Sequence, residues 1–322
     1  MNALDIILMI GGLLLGFVLL IKGADFFVDG SSAVAKKLKV PSLIIGMTIV
    51  AMGTSLPECA VSVTASLAGS NGLAIGNAIG SNIFNLMVVC GLCALFCPLA
   101  IQKSTLLKEF PFSVAIALLL LVFGLTGWVV SRWEGAILLV LFVSFLVWMV
   151  FSAKKQQKEG LLQEEEGSGK QLSVLLCILY ILGGAAAIAV GGNLVVDSAS
   201  DLAKLLGMSD TLVGLTVVAL GTSLPELATS VAAARKNELD MALGNVIGSN
   251  IFNILFVLGI AIVISPLTFA MENIIDIAIL CGMSLVVWLF CQKRKKLVRW
   301  HGVIMLLLYA GFLAYIILRV YL

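Results

Sequence analysis

The sequence predicts an all-α polytopic membrane protein, with ten transmembrane helices arranged as two inverted five-helix repeats. Three observations predict it. The chain is 61% hydrophobic and only 12% charged over 322 residues, with a mean hydropathy of +1.14, whereas soluble domains are about half apolar and about a quarter charged. Its apolar residues fall into stretches of about 20, the length that crosses a bilayer. One string, MGTSLPE at 52–58, returns as LGTSLPE at 220–226.

The expected spans are 5–27, 41–68, 73–97, 110–127, 133–152, 172–195, 210–234, 241–264, 273–291 and 300–320. The first lacks a basic leader region and carries Asp5, so it reads as a retained span rather than a cleaved signal. Connections are short. The longest, 153–171, is charged and holds Glu164, Glu165 and Glu166, which read as a solvated linker rather than an acidic metal sensor. Assigning loops alternately to two sides puts all of the 20 Lys and Arg residues on one side except Lys22, Arg132, Lys204 and Arg319. That side is expected to be cytoplasmic, with both termini outside.

The repeat holds at one offset of 168 residues, since 58 + 168 = 226. GMTIVAMGTSLPE at 46–58 matches GLTVVALGTSLPE at 214–226, and GNAIGSNIFN at 76–85 matches GNVIGSNIFN at 244–253. Asp29 matches Asp197 and Lys36 matches Lys204. The expected units are therefore 1–152 and 172–322, joined by a linker at 153–171. Five spans is an odd number, so the second unit enters the membrane from the opposite side. In such pairs the substrate site lies near the midplane, between the repeats, on discontinuous helices.

The repeated string carries the chemistry. Pro57 has no N–H and its ring clashes with the carbonyl four residues back, that of Gly53, so the helix should kink or unwind around 51–54. Freed carbonyls at membrane depth persist only where they face protein or a wet cavity, and there they are cation ligands. Thr54 and Glu58 share a helical face with Ser55 beside them. The second copy offers Ala219, Thr222, Ser223 and Glu226. A charge at the bilayer centre costs at least about 2.5–3.5 kcal/mol, which makes an intramembrane acid a functional candidate. Two acids at one point repel unless a cation or protons neutralise them. Two carboxylates balance one divalent ion, and with carbonyls and water they can supply the roughly 6–8 oxygens that calcium takes; magnesium, rigidly octahedral, fits less well. The competing reading of either glutamate alone is a protonated packing residue, and the duplication tells against it.

The second string adds partners. Gly76 and Gly80 make a small-residue face for close helix approach. Ser81 and Asn85, and their copies Ser249 and Asn253, can present oxygens to the same cavity or act as polar glue between helices. Asn77, Asn82, Asn245 and Asn250 suit either role, with structural hydrogen bonding favoured.

Other chemistries find little support. Cys90, Cys93 and Cys97 lie near one helical face, yet all seven cysteines sit in apolar segments and read as packing residues. The single histidine, His301, stands beside Trp300 at an expected helix end and membrane interface. It cannot supply an HExxH zinc site, no dinucleotide or P-loop motif is present, and no nucleic-acid patch is visible.

GTSLPE followed by GNxxGSNxxN, twice, resembles the α-repeats of the calcium/cation antiporter superfamily, closest to its prokaryotic sodium/calcium exchanger branch. The resemblance spans essentially the whole chain. It implies an exchanger-like ten-helix fold and a calcium site made by Glu58 and Glu226 with the Thr54 and Thr222 carbonyls. It further implies sodium sites using Ala51, Ser55, Ser81, Ala219, Ser223 and Ser249. It implies no cofactor, since calcium and sodium are cargo. Some members carry aspartate where this chain has Asn253; with Asn85 also neutral, potassium co-transport is disfavoured. Proton-coupled members usually carry a glutamate inside the GNxxE element, where this chain reads GNAIG and GNVIG, which favours sodium. The large regulatory calcium-binding loop of animal exchangers is absent.

The expected function is a sodium/calcium antiporter of the cell membrane working by alternating access, read as a monomer in the lipid bilayer. By the resemblance, the first span of each repeat, with Asp29 or Asp197 near its end, is a sliding gate. The nearest alternative is a calcium/proton antiporter using the same two glutamates. A cation channel and an intramembrane enzyme are more distant: the inverted repeat argues against the first and the absent catalytic motifs against the second.

Overall fold

The computed structural model describes residues 3–158, 172–208, 217 and 219–321. The chain begins with α1 (Ala3–Leu38), followed by α2 (Ser42–Thr54), α3 (Leu56–Leu67) and α4 (Asn71–Phe96). Helices α5 (Thr105–Gly127) and α6 (Arg132–Lys158) close the first repeat. The second runs through α7 (Val174–Leu205), α8 (Ala219–Gly221), α9 (Leu224–Arg235), α10 (Leu239–Ile264), α11 (Met271–Arg294) and α12 (Arg299–Tyr321).

Among the described residues, 8 helices are long and apolar enough to cross a membrane, and the bent pair α2 and α3 makes a ninth span. The expected span at 210–234 starts outside the described residues, and α9 is its second half. The acidic run 164–166 also lies outside them.

Two boundaries move. The span expected at 5–27 is a helix of 36 residues, and that expected at 172–195 one of 32. At 1.5 Å per residue the first is about 54 Å long, well beyond a hydrocarbon core of about 30 Å. Polar residues such as Asp25 and Asp29 mark the end of the apolar run but not of the helix, because they find partners on the second repeat. The two long helices pack antiparallel through glycines seven apart. A Cβ on Gly23 would meet the Gly184 carbonyl at 2.9 Å, and one on Gly16 would meet the Gly191 carbonyl at 2.9 Å. Since 16 + 168 = 184 and 23 + 168 = 191, the repeat itself sets this seam.

The spans that carry the second repeated string lie inside the bundle. The α4 and α10 spans, which carry the GN…GSN strings, are 72% and 78% buried, against 17% and 22% for α1 and α7. The outer helices expose Ile7, Leu8, Leu182 and Leu307 as a lipid-facing surface. Gly244 and Gly248 of α10 let α2 come close: a Cβ there would meet the Leu43 carbonyl at 2.6 Å and the Met47 carbonyl at 2.7 Å. Among the described residues, nothing lies within 4 Å of where a Cβ on Gly76 or Gly80 would stand.

Two short antiparallel ribbons, unforeseen in the sequence, tie the repeats together. Strand β1 (Leu99–Ala100) pairs with β4 (Lys296–Leu297), and β2 (Val129–Val130) with β3 (Leu267–Thr268). His301 stands near the start of α12 and is packed within the protein: it is 3% exposed, accepts a hydrogen bond from the Val298 amide at 3.2 Å and stacks on Phe290. The cysteines are free thiols, with Cys90 and Cys93 buried as packing residues.

Candidate ion site

The site begins with the helix break that Pro57 imposes. Helix α2 survives through Thr54, because the Ser55 amide still reaches the Ala51 carbonyl at 3.1 Å. The break therefore falls at Ser55 (φ −88°, ψ 11°), slightly later than the sequence suggests, and α3 restarts with Pro57 in its first turn. The two segments are bent by 48°. Helical bonding resumes with the Cys59 amide on the Ser55 carbonyl, so the Gly53 and Thr54 carbonyls lie in the gap of the ladder. The second copy repeats this: Ser223 (φ −93°, ψ 5°) separates α8 from α9, which opens with Pro225 in its first turn.

The two broken helices cross so that each serine serves the other repeat's acid. The Ser55 hydroxyl donates to Glu226 Oε1 at 2.6 Å, and the Ser223 hydroxyl to Glu58 Oε1 at 3.1 Å. Ser81 reaches Glu58 at 3.5 Å and Ser249 reaches Glu226 at 3.4 Å. Ser223 also lies 3.0 Å from Ser81. Glu58, Glu226, Ser55, Ser223 and Ser249 are fully buried, and Thr54, Ser81 and Thr222 nearly so.

Asparagines brace this crossing. Asn77 donates to the Glu58 carbonyl at 3.1 Å and to Ser62 at 2.9 Å; Asn245 donates to the Glu226 carbonyl at 3.4 Å and to Ser230 at 2.9 Å. Their amide oxygens accept from the threonines of the opposite repeat, Asn245 from Thr54 at 3.2 Å and Asn77 from Thr222 at 3.4 Å. Asn82 and Asn250 donate to each other's carbonyls at 3.1 and 3.2 Å. All four asparagines thus make hydrogen bonds within the protein. Ser62 and Ser230 were not singled out, although they are polar residues in apolar runs at the same offset of 168.

Several buried oxygens have no partner among the described residues: Glu58 Oε2, Glu226 Oε2, Asn85 Oδ1, Asn250 Oδ1 and Asn253 Oδ1. Buried polar atoms are rarely left so, and such a cluster is what a bound ion or water satisfies. The surrounding donor set is oxygen alone, two carboxylates with hydroxyls, amides and carbonyls, which suits a hard cation. The Ala51 carbonyl already accepts from Ser55 N and from Thr54 Oγ1 at 3.3 Å, so it would bind a cation only as the threonine turns away. Ala219, the counterpart of Ala51 at the offset of 168, stands at the start of α8. Asn85 and Asn253 each begin a π-helical stretch, Asn85–Val89 and Asn253–Leu258. Such bulges often mark functional positions, and no sequence pattern announces them.

Two inverted repeats closing on a buried site of oxygens define a secondary cation transporter. The family model for sodium/calcium exchanger protein matches residues 8–151 and 176–318. A putative antiporter, CaxA, of Alkalimonas amylolytica is 41% identical over 311 residues, covering 93% of this chain and 95% of its own length. The sodium/calcium exchanger MaX1 of Methanosarcina acetivorans is 33% identical over 340 residues, covering 94% and 96%. Solved structures of the sodium-calcium exchanger NCX_Mj superpose with a TM-score of 0.84 at 38% identity, over 96% of this chain and 98% of that one. One of those crystals was soaked with Na+ and Sr2+, another with Na+ and Ca2+. The chain belongs to the sodium/calcium exchanger family, whose members are calcium/cation antiporters rather than enzymes and need no cofactor.

Proposed function

We propose that this chain exchanges calcium for sodium by alternating access, with both cations using the cluster around Glu58 and Glu226. The observation that carries the reading is the pair of unpartnered, fully buried carboxylate oxygens, Glu58 Oε2 and Glu226 Oε2. Calcium takes the two carboxylates with the Thr54 and Thr222 carbonyls. Sodium takes flanking positions by Ser55, Ser81, Ala51 and their copies Ser223, Ser249 and Ala219, with Asn85 and Asn253 bordering the centre. Because the sets overlap, the two loads compete, and the gradient of one drives the other. The exchange units are 1–152 and 172–322. The basic loops, including 153–171, face the cytoplasm of a cell whose plasma membrane holds the protein, with both termini outside.

Proteoliposomes loaded with sodium, with no pH gradient, should take up radioactive calcium. Uptake driven only by a pH gradient, without sodium, would transfer the same site to proton coupling, the alternative that two titratable carboxylates permit.

A further inference from the structure

The repeats differ at one end of the molecule. Where α1 finishes, Lys236 Nζ donates to Asp29 Oδ1 and to the Asp25 carbonyl, both at 2.6 Å, and lies 3.7 Å from Asp25 Oδ1. The Ser32 hydroxyl donates to Glu238 Oε1 next to it. Between them Asn237 turns the chain in the left-handed region at φ 62°. Lys236 follows directly on α9, the helix that carries Glu226. The cluster thus ties the long outer helix of one repeat to the site helix of the other.

The offset of 168 gives the equivalent cluster at the opposite end: Asn193, Asp197 and Ser200 against Ala68, Gly69 and Ser70. The backbone turn is the same, with Gly69 at φ 71°. The chemistry is gone. Alanine replaces the lysine, and the Ser200 hydroxyl has no partner.

The crevices beside these ends differ in the same sense. One, of about 340 Å³, lies between α3 and α7 and is lined by Pro57, Ala189, Asn193 and Pro225 together with Thr222 of the ion cluster. Its counterpart, of about 250 Å³, lies between α1 and α9 and is lined by Leu20, Asp25, Leu224, Ala228 and Arg235, with no residue of the cluster. In an inverted-repeat carrier the two access states exchange the roles of the halves. A bond that exists in one half alone therefore favours one state.

We propose that Lys236, with Asp25 and Asp29, is a one-sided latch that holds α1 against α9 and keeps the crevice at that end shut from the ion cluster. Lys236 is a positioning residue here and touches no cargo. The inference rests on the alternating-access reading but not on which cations are exchanged.

The test uses the purified full chain in choline buffer without sodium or calcium. Cysteine is placed at Ala228, in the crevice beside the latch, or at Ala189, in the crevice that reaches Thr222. Labelling by a polar maleimide is then compared with the unsubstituted chain. Lys236→Ala should speed labelling at 228 and slow it at 189, each about two- to fivefold, the range a partly exposed ion pair can hold. Lys236→Arg should keep the native rates. If Lys236→Ala does not fold, the exchanged pair Lys236→Asp with Asp29→Lys should restore native rates relative to Lys236→Asp alone. Unchanged rates at both positions, or a rise at both together, would overturn the latch. Because no transported cation is present, a failure of sodium coupling in vesicles would leave this result standing, and the reverse also holds.

Discussion

In the first repeat, Glu58 takes a hydroxyl from Ser223 while Asn77 braces its carbonyl; in the second, Glu226 takes one from Ser55 while Asn245 braces its carbonyl. The bonds correspond pair by pair across the offset. Away from this centre the correspondence fails. Asn253 donates to Asn82 at 3.2 Å, whereas neither polar atom of the Asn85 side chain has a partner. Lys236 has no counterpart at all. Under the alternating-access function proposed above, contacts that serve both states are expected to be the duplicated ones, since each state reuses them with the halves exchanged. Contacts that distinguish the states, or that tune one side of the cluster, are single.

The largest effect tests the duplicated centre. Glu58→Gln and Glu226→Gln should each reduce calcium exchange to background while the protein still inserts, measured as vesicle uptake against protein recovered in the membrane. Wild-type transport in either variant would break the equivalence of the halves. Next come the crossing serines. Each donates to a buried carboxylate, a bond worth about 1.5–3 kcal/mol. Ser55→Ala and Ser223→Ala should therefore weaken apparent calcium affinity by roughly ten- to a hundredfold, and by similar amounts. A large disparity between them would show that the two acids are not used alike.

Smaller effects concern the braces. Asn77→Ala and Asn245→Ala each remove bonds to a backbone carbonyl, a serine and a threonine, at a cost of about 1–3 kcal/mol, read as a lower melting temperature in both. The smallest effect on uptake is expected from an added carboxyl. Asn253→Asp should alter the order of cation preference in competition assays more than it lowers the melting temperature. An unchanged selectivity order would remove Asn253 from the ligands. Asn85→Asp, which sacrifices no hydrogen bond, sharpens the contrast between the two positions.

Much of this was legible in the sequence because the repeat is written at a single offset. Pro57 and Pro225 announce the two breaks through their missing N–H, and Glu58 and Glu226 stand out against apolar surroundings. The crossing was not legible. That Ser55 serves Glu226 rather than Glu58 depends on how two helices pass in space, which spacing along one chain does not encode. The full length of α1 was hidden because its polar end looks like loop until Lys236 is seen beside Asp29; α7 runs on to Leu205 without that pair. The glycine seam could have been found: glycines at 16 and 23 recur at 184 and 191. The π-helical stretches at Asn85 and Asn253 follow the same GSNIF string in both repeats, but no residue type in it announces them.

The most direct measurement is the stoichiometry of calcium binding to the purified chain by titration calorimetry, in wild type and in each glutamine variant. A single shared centre predicts one calcium per chain, displaced by sodium, and none in either Glu58→Gln or Glu226→Gln. A calcium ion retained by one variant with near-native affinity would show that the two acids do not hold a common ion.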